Sequence, residues 1–233
     1  MIHKNQWRKL YLIGGIAPII TIIFYFSQFF IPLFGYGYPE NIESWFELFQ
    51  ISNLLGLYTL NALDILSIGL LAPMFLALFI QLRKENPSLT AIGGIFALIG
   101  IAVFISGRSD YLSILSLSNQ YFNTQDPILQ EQLLTTGRAL AAPVKPTLQT
   151  TGFFYISIGM LFFSIVMINS PQHKKSTGIL GIIGLILVAI GDLSLLVFPL
   201  LAGIMVGVSG LPVLIWWVLV SINLLKTAKA TVA

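Results

Sequence analysis

The sequence predicts an all-α fold: a polytopic transmembrane helical bundle of six spans, with both termini cytoplasmic and a short amphipathic helix in a long outside loop. Three observations predict it. Of 233 residues, 56% are hydrophobic and 9% charged, against about 25% charged in an average soluble domain. The apolar residues fall in runs long enough to cross a bilayer, which takes about 20 residues per helix. The Lys and Arg residues cluster in alternate connections, as they do on the cytoplasmic side of membrane proteins. With so few charges the chain could not cover a water-facing surface, so a cytosolic enzyme, a disordered chain and a nucleic-acid binder are excluded.

The first span covers residues 10–34, preceded by Lys4, Arg8 and Lys9. A signal peptide has an apolar region of only about 7–15 residues and a small-residue cleavage site. This run is longer and ends in Phe-Phe-Ile-Pro-Leu-Phe, so a retained span is expected. The second span covers 53–82, the third 88–106 and the fourth 151–169. From 178 to 225 the chain is almost wholly apolar, with Asp192 its only charge. That is too long for one helix, so it must reverse. Pro199, Gly203, Gly207, Gly210 and Pro212 place the reversal between 198 and 211, giving spans at 177–198 and 209–226. All of 1–233 then forms one integral-membrane domain.

With the N-terminus inside, the inner segments carry Lys4, Arg8, Lys9, Arg83, Lys84, Lys174, Lys175, Lys226 and Lys229. The outer ones carry only Arg108, Arg138 and Lys145. Two outer connections are long. Residues 35–51 contain Tyr36, Tyr38, Trp45, Phe46 and Phe49, suited to the headgroup region. In residues 107–150, Asp126-Pro127 reads as a helix start, with Asp at the cap and Pro at the first helical position. Ile128, Leu129, Leu133 and Leu140 would form the apolar face of that helix, lying on the membrane or capping the bundle.

Helices in lipid associate through close packing and polar contacts. Gly93, Ala97, Gly100 and Gly107 line one face of the third span, and Gly178, Gly181 and Gly184 one face of the fifth. Both faces are expected to be packing seams. A carboxylate in the bilayer is costly, so it must look inward. Asp64 and Asp192 both fall in the outer halves of their spans. Asn53, Gly56, Asp64 and Ser67 project onto one stripe, with Asn61 beside it. Arg108 ends the third span at similar depth. A polar cluster of Asp64, Asp192 and Arg108 beneath the outer loops is therefore expected. Its structural alternative is simple: Arg108 pairs with one carboxylate, and the other is protonated and bonded to Asn61 or Ser67. Trp216 and Trp217 lie within a span, away from the interface where Trp is usual, and are expected to pack, line a pocket or meet another subunit.

No cysteine is present, which removes disulfides, thiolate ligands and iron–sulfur clusters of the Cys type. His3 is terminal and His173 lies in an inner loop, so bis-histidine haem ligation and a Ser-His-Asp triad in the bundle are excluded. No lysine lies in the interior of a span to form a Schiff base, Lys226 standing only at the inner end of the last, and neither a P-loop nor a dinucleotide fingerprint occurs. Asp64 and Asp192 match the sequence context of an intramembrane aspartyl dyad only in part. No catalytic residue, metal or cofactor is assigned, and a non-enzymatic role is favoured.

The stretch 57–82, the run AIGGIFALIGIAVFI, LSLSNQYF at the start of the long outer loop, TGFFYISIGMLFFSIVMINS and STGILGIIG together resemble a broad family of small prokaryotic polytopic membrane proteins known as a domain of unknown function. Its markers are an Asp in the second span, here Asp64, and glycine-rich third and fifth spans. The resemblance implies an integral-membrane location and carries no catalytic residues with it. The sequence thus leads to a protein of the prokaryotic inner membrane that binds or transports a small apolar or amphipathic molecule. Its site would involve Asp64, Asn61, Ser67, Arg108, Asp192, Trp216 and Trp217, with membrane lipids around it. The alternatives are an accessory subunit of a larger membrane complex and, behind it, an intramembrane hydrolase.

Overall fold

The computed structural model describes residues 6–28, 39–141, 146–194 and 198–230, and every element among them is helical. The order is α1 Arg8–Gln28, α2 Ile42–Ile51, α3 Asn53–Thr59, α4 Leu63–Gly69, α5 Leu71–Leu82, α6 Pro87–Asn123, α7 Pro127–Ala141, α8 Pro146–Asn169, α9 Lys175–Ser194 and α10 Pro199–Ala230. Among the described residues five helices are long and apolar enough to cross a membrane: Arg8–Gln28, Leu63–Leu82, Pro87–Asn123, Thr150–Asn169 and Gly207–Ala230. Lys175–Gly191 is a shorter apolar helix packed between α8 and α10. The chain is a multi-pass helical membrane protein.

The long helices form a ring, each against the next: α6, α8, α9, α10, α1, α5 and back to α6. Helix α5 also reaches α8 and α10 across the ring. It is accordingly the most enclosed helix, with Leu71, Met74, Phe75, Ala77, Leu78 and Leu82 fully buried. The outward faces keep large aliphatic side chains exposed, such as Ile13 and Ile23 on α1 and Ile183 and Ile186 on α9. Such a belt suits lipid, where burying apolar surface between helices brings no hydrophobic gain.

The small residues let backbones approach. A methyl group built on Gly100 would stand 2.6 Å from the Gly152 carbonyl oxygen and the Ile156 nitrogen. One on Gly159 would stand 2.7 Å from the Gly93 carbonyl oxygen and 2.8 Å from Ala97 Cβ. The expected seam on the third span is therefore matched by a seam on α8 (Gly152, Gly159) that the sequence reading missed. On α9, Gly178 meets α8 at Ser164 and Ile168, and Gly184 faces Val213 of α10.

Four boundaries differ from expectation. The second span is broken rather than continuous over 53–82. Asn61 takes a left-handed φ of 57°, which Asn tolerates better than most non-glycine residues, and it separates α3 from α4. A second break at Leu70 precedes Pro73, which has no N–H for the Gly69 carbonyl and crowds it. The third span does not stop at 106: α6 runs 37 residues, about 55 Å at 1.5 Å per residue, and its far part leaves the bundle. The last reversal does not lie within 199–211, which is helical from Pro199 on. The reversal therefore lies before Pro199, and 195–197 lie outside the described residues. The first span is described only to Gln28, so its predicted end at 34, with Tyr36 and Tyr38, also lies outside.

Beyond the bundle, α2, α3, α7 and the far part of α6 build a helical cap with its own core of Ile42, Phe46, Phe49, Leu60, Ile114 and Leu134. Phe46 and Phe49 are 0% and 1% exposed, so these aromatics hold the cap together and are not headgroup anchors. The predicted helix start is seen: Asp126 Oδ1 accepts from the Ile128 N–H at 2.9 Å. The buried face of α7 is Leu133, Leu134 and Gly137, with Leu140 packed at its edge. Ile128 and Leu129 are exposed, a correction to the predicted face. Ser118 Oγ donates to the Phe46 carbonyl at 2.9 Å, and Arg138 bridges Glu43 of α2 and Glu131 of α7. The hydrogen bond from Arg138 holds the exposed Glu43 carboxyl below its usual range.

Candidate functional site

Asp64 opens α4 and is 4% exposed. It lies 18 residues before Leu82, about 27 Å from that end of the span, while Arg108 lies about 31 Å along α6 from Pro87. Both therefore sit at the cap-side edge of a hydrocarbon core of about 30 Å. The structure joins them: Arg108 Nη2 donates to Asp64 Oδ2 at 2.8 Å. The other oxygen, Oδ1, accepts from Gln28 Nε2 of α1 at 2.9 Å. The guanidinium also stands 5.7 Å over the Phe104 ring, a favourable placement for a cation. A buried ion pair needs further hydrogen bonds to offset desolvation, and Gln28 supplies one.

Gln28 was not foreseen. Thr21, Tyr25 and Gln28 recur at i, i+4 and i+7 on the first span, a polar stripe that sequence could have shown. Thr21 Oγ1 donates to the Ser67 carbonyl at 2.7 Å, so α1 is stitched to α4 at both ends of this stripe. Tyr25 lies between the two stitches, within the electrostatic reach of Asp64 and Arg108. Its ring also meets Trp217 of α10, centroids 6.4 Å apart. This contact follows from direction: side chains on a helix lean toward its N-terminus, and α1 and α10 run oppositely.

Three enclosed polar atoms around this cluster have no hydrogen-bond partner among the described residues: the Tyr25 hydroxyl, the Ser67 hydroxyl and the Trp217 indole nitrogen. Buried polar groups are nearly always paired, and in lipid depth no solvent stands by to serve them.

The other expected members are placed differently. Asn61 makes the break before α4, and the recorded partners of Asp64 are Gln28 and Arg108 instead. Because of that break, Asn53 and Gly56 do not continue the stripe of Asp64 and Ser67; Gly56 packs against Phe49 of the cap. Trp216 is buried on the face of α10 that meets Gly181 of α9, a different face from that of Trp217. Asp192 falls on α9, but its side chain lies outside those described. Among the described residues no group of three His, Cys, Asp or Glu is placed to hold a metal. A surface groove of about 730 Å³ follows α7, lined by Ile128, Glu131, Gln132 and Thr136 among others, and contains none of the expected site residues.

A second polar cluster, also unforeseen, sits at the opposite end of the bundle. Gln81 of α5 is 3% exposed and donates through Nε2 to Asn223 Oδ1 at 2.8 Å and to Thr227 Oγ1 at 3.0 Å, both on α10. Asn223 Nδ2 donates to the Gln172 carbonyl. With its amide so oriented, Gln81 offers Oε1 to His173 Nε2 at 3.1 Å, so that nitrogen carries the proton. Burial lowers the His173 pKa to about 4.

One family model matches the chain, over residues 10–227: the domain of unknown function DUF4386. No curated protein and no solved structure matches it.

Proposed function

The chain belongs to the DUF4386 family, and we propose that it binds or transports a small amphipathic molecule at the edge between bundle and cap. One observation carries this reading. The enclosed ion pair of Asp64 with Arg108 lies near Tyr25 and one turn from Ser67, whose hydroxyls have no partner among the described residues, and the Trp217 indole nitrogen, also without one there, belongs to the ring that meets Tyr25. Intramembrane ionisable groups mark binding sites and pathways by default, and unpaired donors beside them call for a polar partner. The α1–α4–α10 junction is where a head group would lie, with its tail among the apolar faces of the bundle.

The same reading puts the protein in the cytoplasmic membrane of a prokaryote, six spans across, with both ends inside. It is supported by the gathering of basic residues at one end. Arg83 stacks over Trp7 at 5.9 Å, and the His173 contact brings the loop of Lys174 and Lys175 beside the end of α5. The Trp pair, one of the two features that suit an accessory-subunit role, is 0% and 2% exposed within this chain and so offers no face to a partner. A dyad of Asp64 with Asp192 is not proposed, since both oxygens of Asp64 are already engaged.

Native mass spectrometry of the protein purified from its own membrane tests the binding reading. A retained amphipathic adduct of under about 1 kDa, lost in Tyr25→Phe, is the expected result. A bare chain refutes it, and a protein companion at fixed stoichiometry replaces it with the subunit role.

A further inference from the structure

We infer that the tip of the cap, where α6 turns into α7, docks a basic and apolar segment of a second protein in the aqueous phase. The inference is independent of the binding reading above and concerns the end of the cap farthest from the bundle.

Height decides what can cover this tip. Arg108 stands at the edge of the hydrocarbon core, and α6 continues to Asn123, about 22 Å further along its axis. Tilted by about 45°, that arm still climbs about 16 Å. The headgroup layer is only about 5–8 Å deep on each side, so the end of α6 and the start of α7 stand in water. Gln130 Nε2 donates to the Thr124 carbonyl at 3.1 Å and the Tyr121 carbonyl at 3.4 Å, which ties the first turn of α7 to the last turn of α6. Here Phe122, Ile128 and Leu129 are 47%, 71% and 40% exposed. The aliphatic belts of α1 and α9 have lipid to cover them; these three side chains stand above it. One exposed apolar side chain is ordinary. Three within eight residues, beside a groove, mark a contact with protein.

The groove sets the chemistry of that protein. Along the outer face of α7 it passes from Pro127 and Ile128 to Glu131 and on to Thr135 and Thr136. An apolar end is thus followed by an acid one turn on, and Asp126 adjoins the apolar end. Residues 109–137 contain Asp110, Asp126 and Glu131 and neither Lys nor Arg. The next base, Arg138, is shared between Glu131 and Glu43, one guanidinium against two carboxylates. Lys145 directly precedes Pro146, where α8 begins. A second copy of this chain would set carboxylates against carboxylates, and like charges facing across a contact reject the wrong partner. A segment with Lys or Arg beside an apolar side chain satisfies both features of the tip. The contact is small, of the transient kind that buries under about 1,200 Å², so it is caught in place rather than by co-purification.

The test is photo-crosslinking in intact membranes of the source cell, with p-benzoylphenylalanine introduced at the exposed Gln132 beside the groove. The expected result is a crosslink to a different protein, mapped to a segment that carries at least two Lys or Arg next to an apolar residue. Two double variants should each lower its yield at least fivefold. Asp126→Asn with Glu131→Gln removes both charges and keeps a capping side chain at 126; Ile128→Ser with Leu129→Ser removes the apolar end. Both sets lie at the surface, and their melting temperatures in detergent report folding. A crosslink to a second copy, to lipid or to a segment without basic residues overturns the inference. So does a yield that either folded variant retains in full, or the absence of any crosslink.

Discussion

Asp64 is held by one charge and one amide, so its replacements should differ by what they leave behind. Asp64→Asn keeps the shape and takes from Arg108 its carboxylate at 2.8 Å, and should cost up to about 3–5 kcal/mol of stability, read as a lowered melting temperature in detergent. Asp64→Leu with Arg108→Met removes both charges and should cost distinctly less than either single change. A double variant as damaged as the sum of the singles would mean that the two residues do not act as a pair. His173 answers to pH. Its folded-state pKa is about 4 against about 6.5 when exposed. Between those values the unfolded chain binds the extra proton, so stability is full above pH 6.5 and falls as pH drops toward 4. The loss should reach about 3 kcal/mol at most, and His173→Gln should flatten it. A melting temperature equally pH-dependent in that variant would place the titrating group elsewhere.

At the scale of the helix, the seam between α6 and α8 is the most sharply constrained contact. Leu at Gly100 would drive its side chain into the Gly152 carbonyl and the Ile156 nitrogen, which are backbone and cannot swing aside. Gly100→Leu should therefore abolish monodisperse expression, while Gly94→Leu, whose Cβ would meet nothing within 4 Å, should be tolerated. Equal behaviour of the two would remove the seam from the account. These elements also separate what was legible in the sequence from what was not. The spans were legible because hydropathy in lipid is a local, length-limited signal. The pairing of Asp64 with Arg108 was legible because a buried carboxylate requires a counter-charge at its own depth. Gln28 escaped because a glutamine near a span end looks like an interfacial residue until its neighbour across α1 and α4 is known. The cap escaped for another reason: Phe46 and Phe49 have the same composition whether they face headgroups or a small core. Only the contacts with Ile114 and Leu134, 65 or more residues away in sequence, distinguish the two. The chain break at Asn61 had no hydropathy signal at all.

For the whole molecule, the cap and the basic end should lie on opposite sides of the membrane. The absence of cysteine makes this directly measurable. Gln132→Cys on α7 should react with an impermeant maleimide in intact cells, and Lys229→Cys at the end of α10 only after lysis; both positions are exposed. Labelling of both from one side would refute the six-span threading.

Helix α6 belongs to both bodies at once. Seated against α8 along its first part, tethered near its middle through Arg108 to Asp64, and wrapped by α2 and α7 along its last part, it is a single rod about 55 Å long. Bundle and cap thus share one uninterrupted backbone, and the place where α6 passes from one to the other is the place where Arg108 ties it to α4.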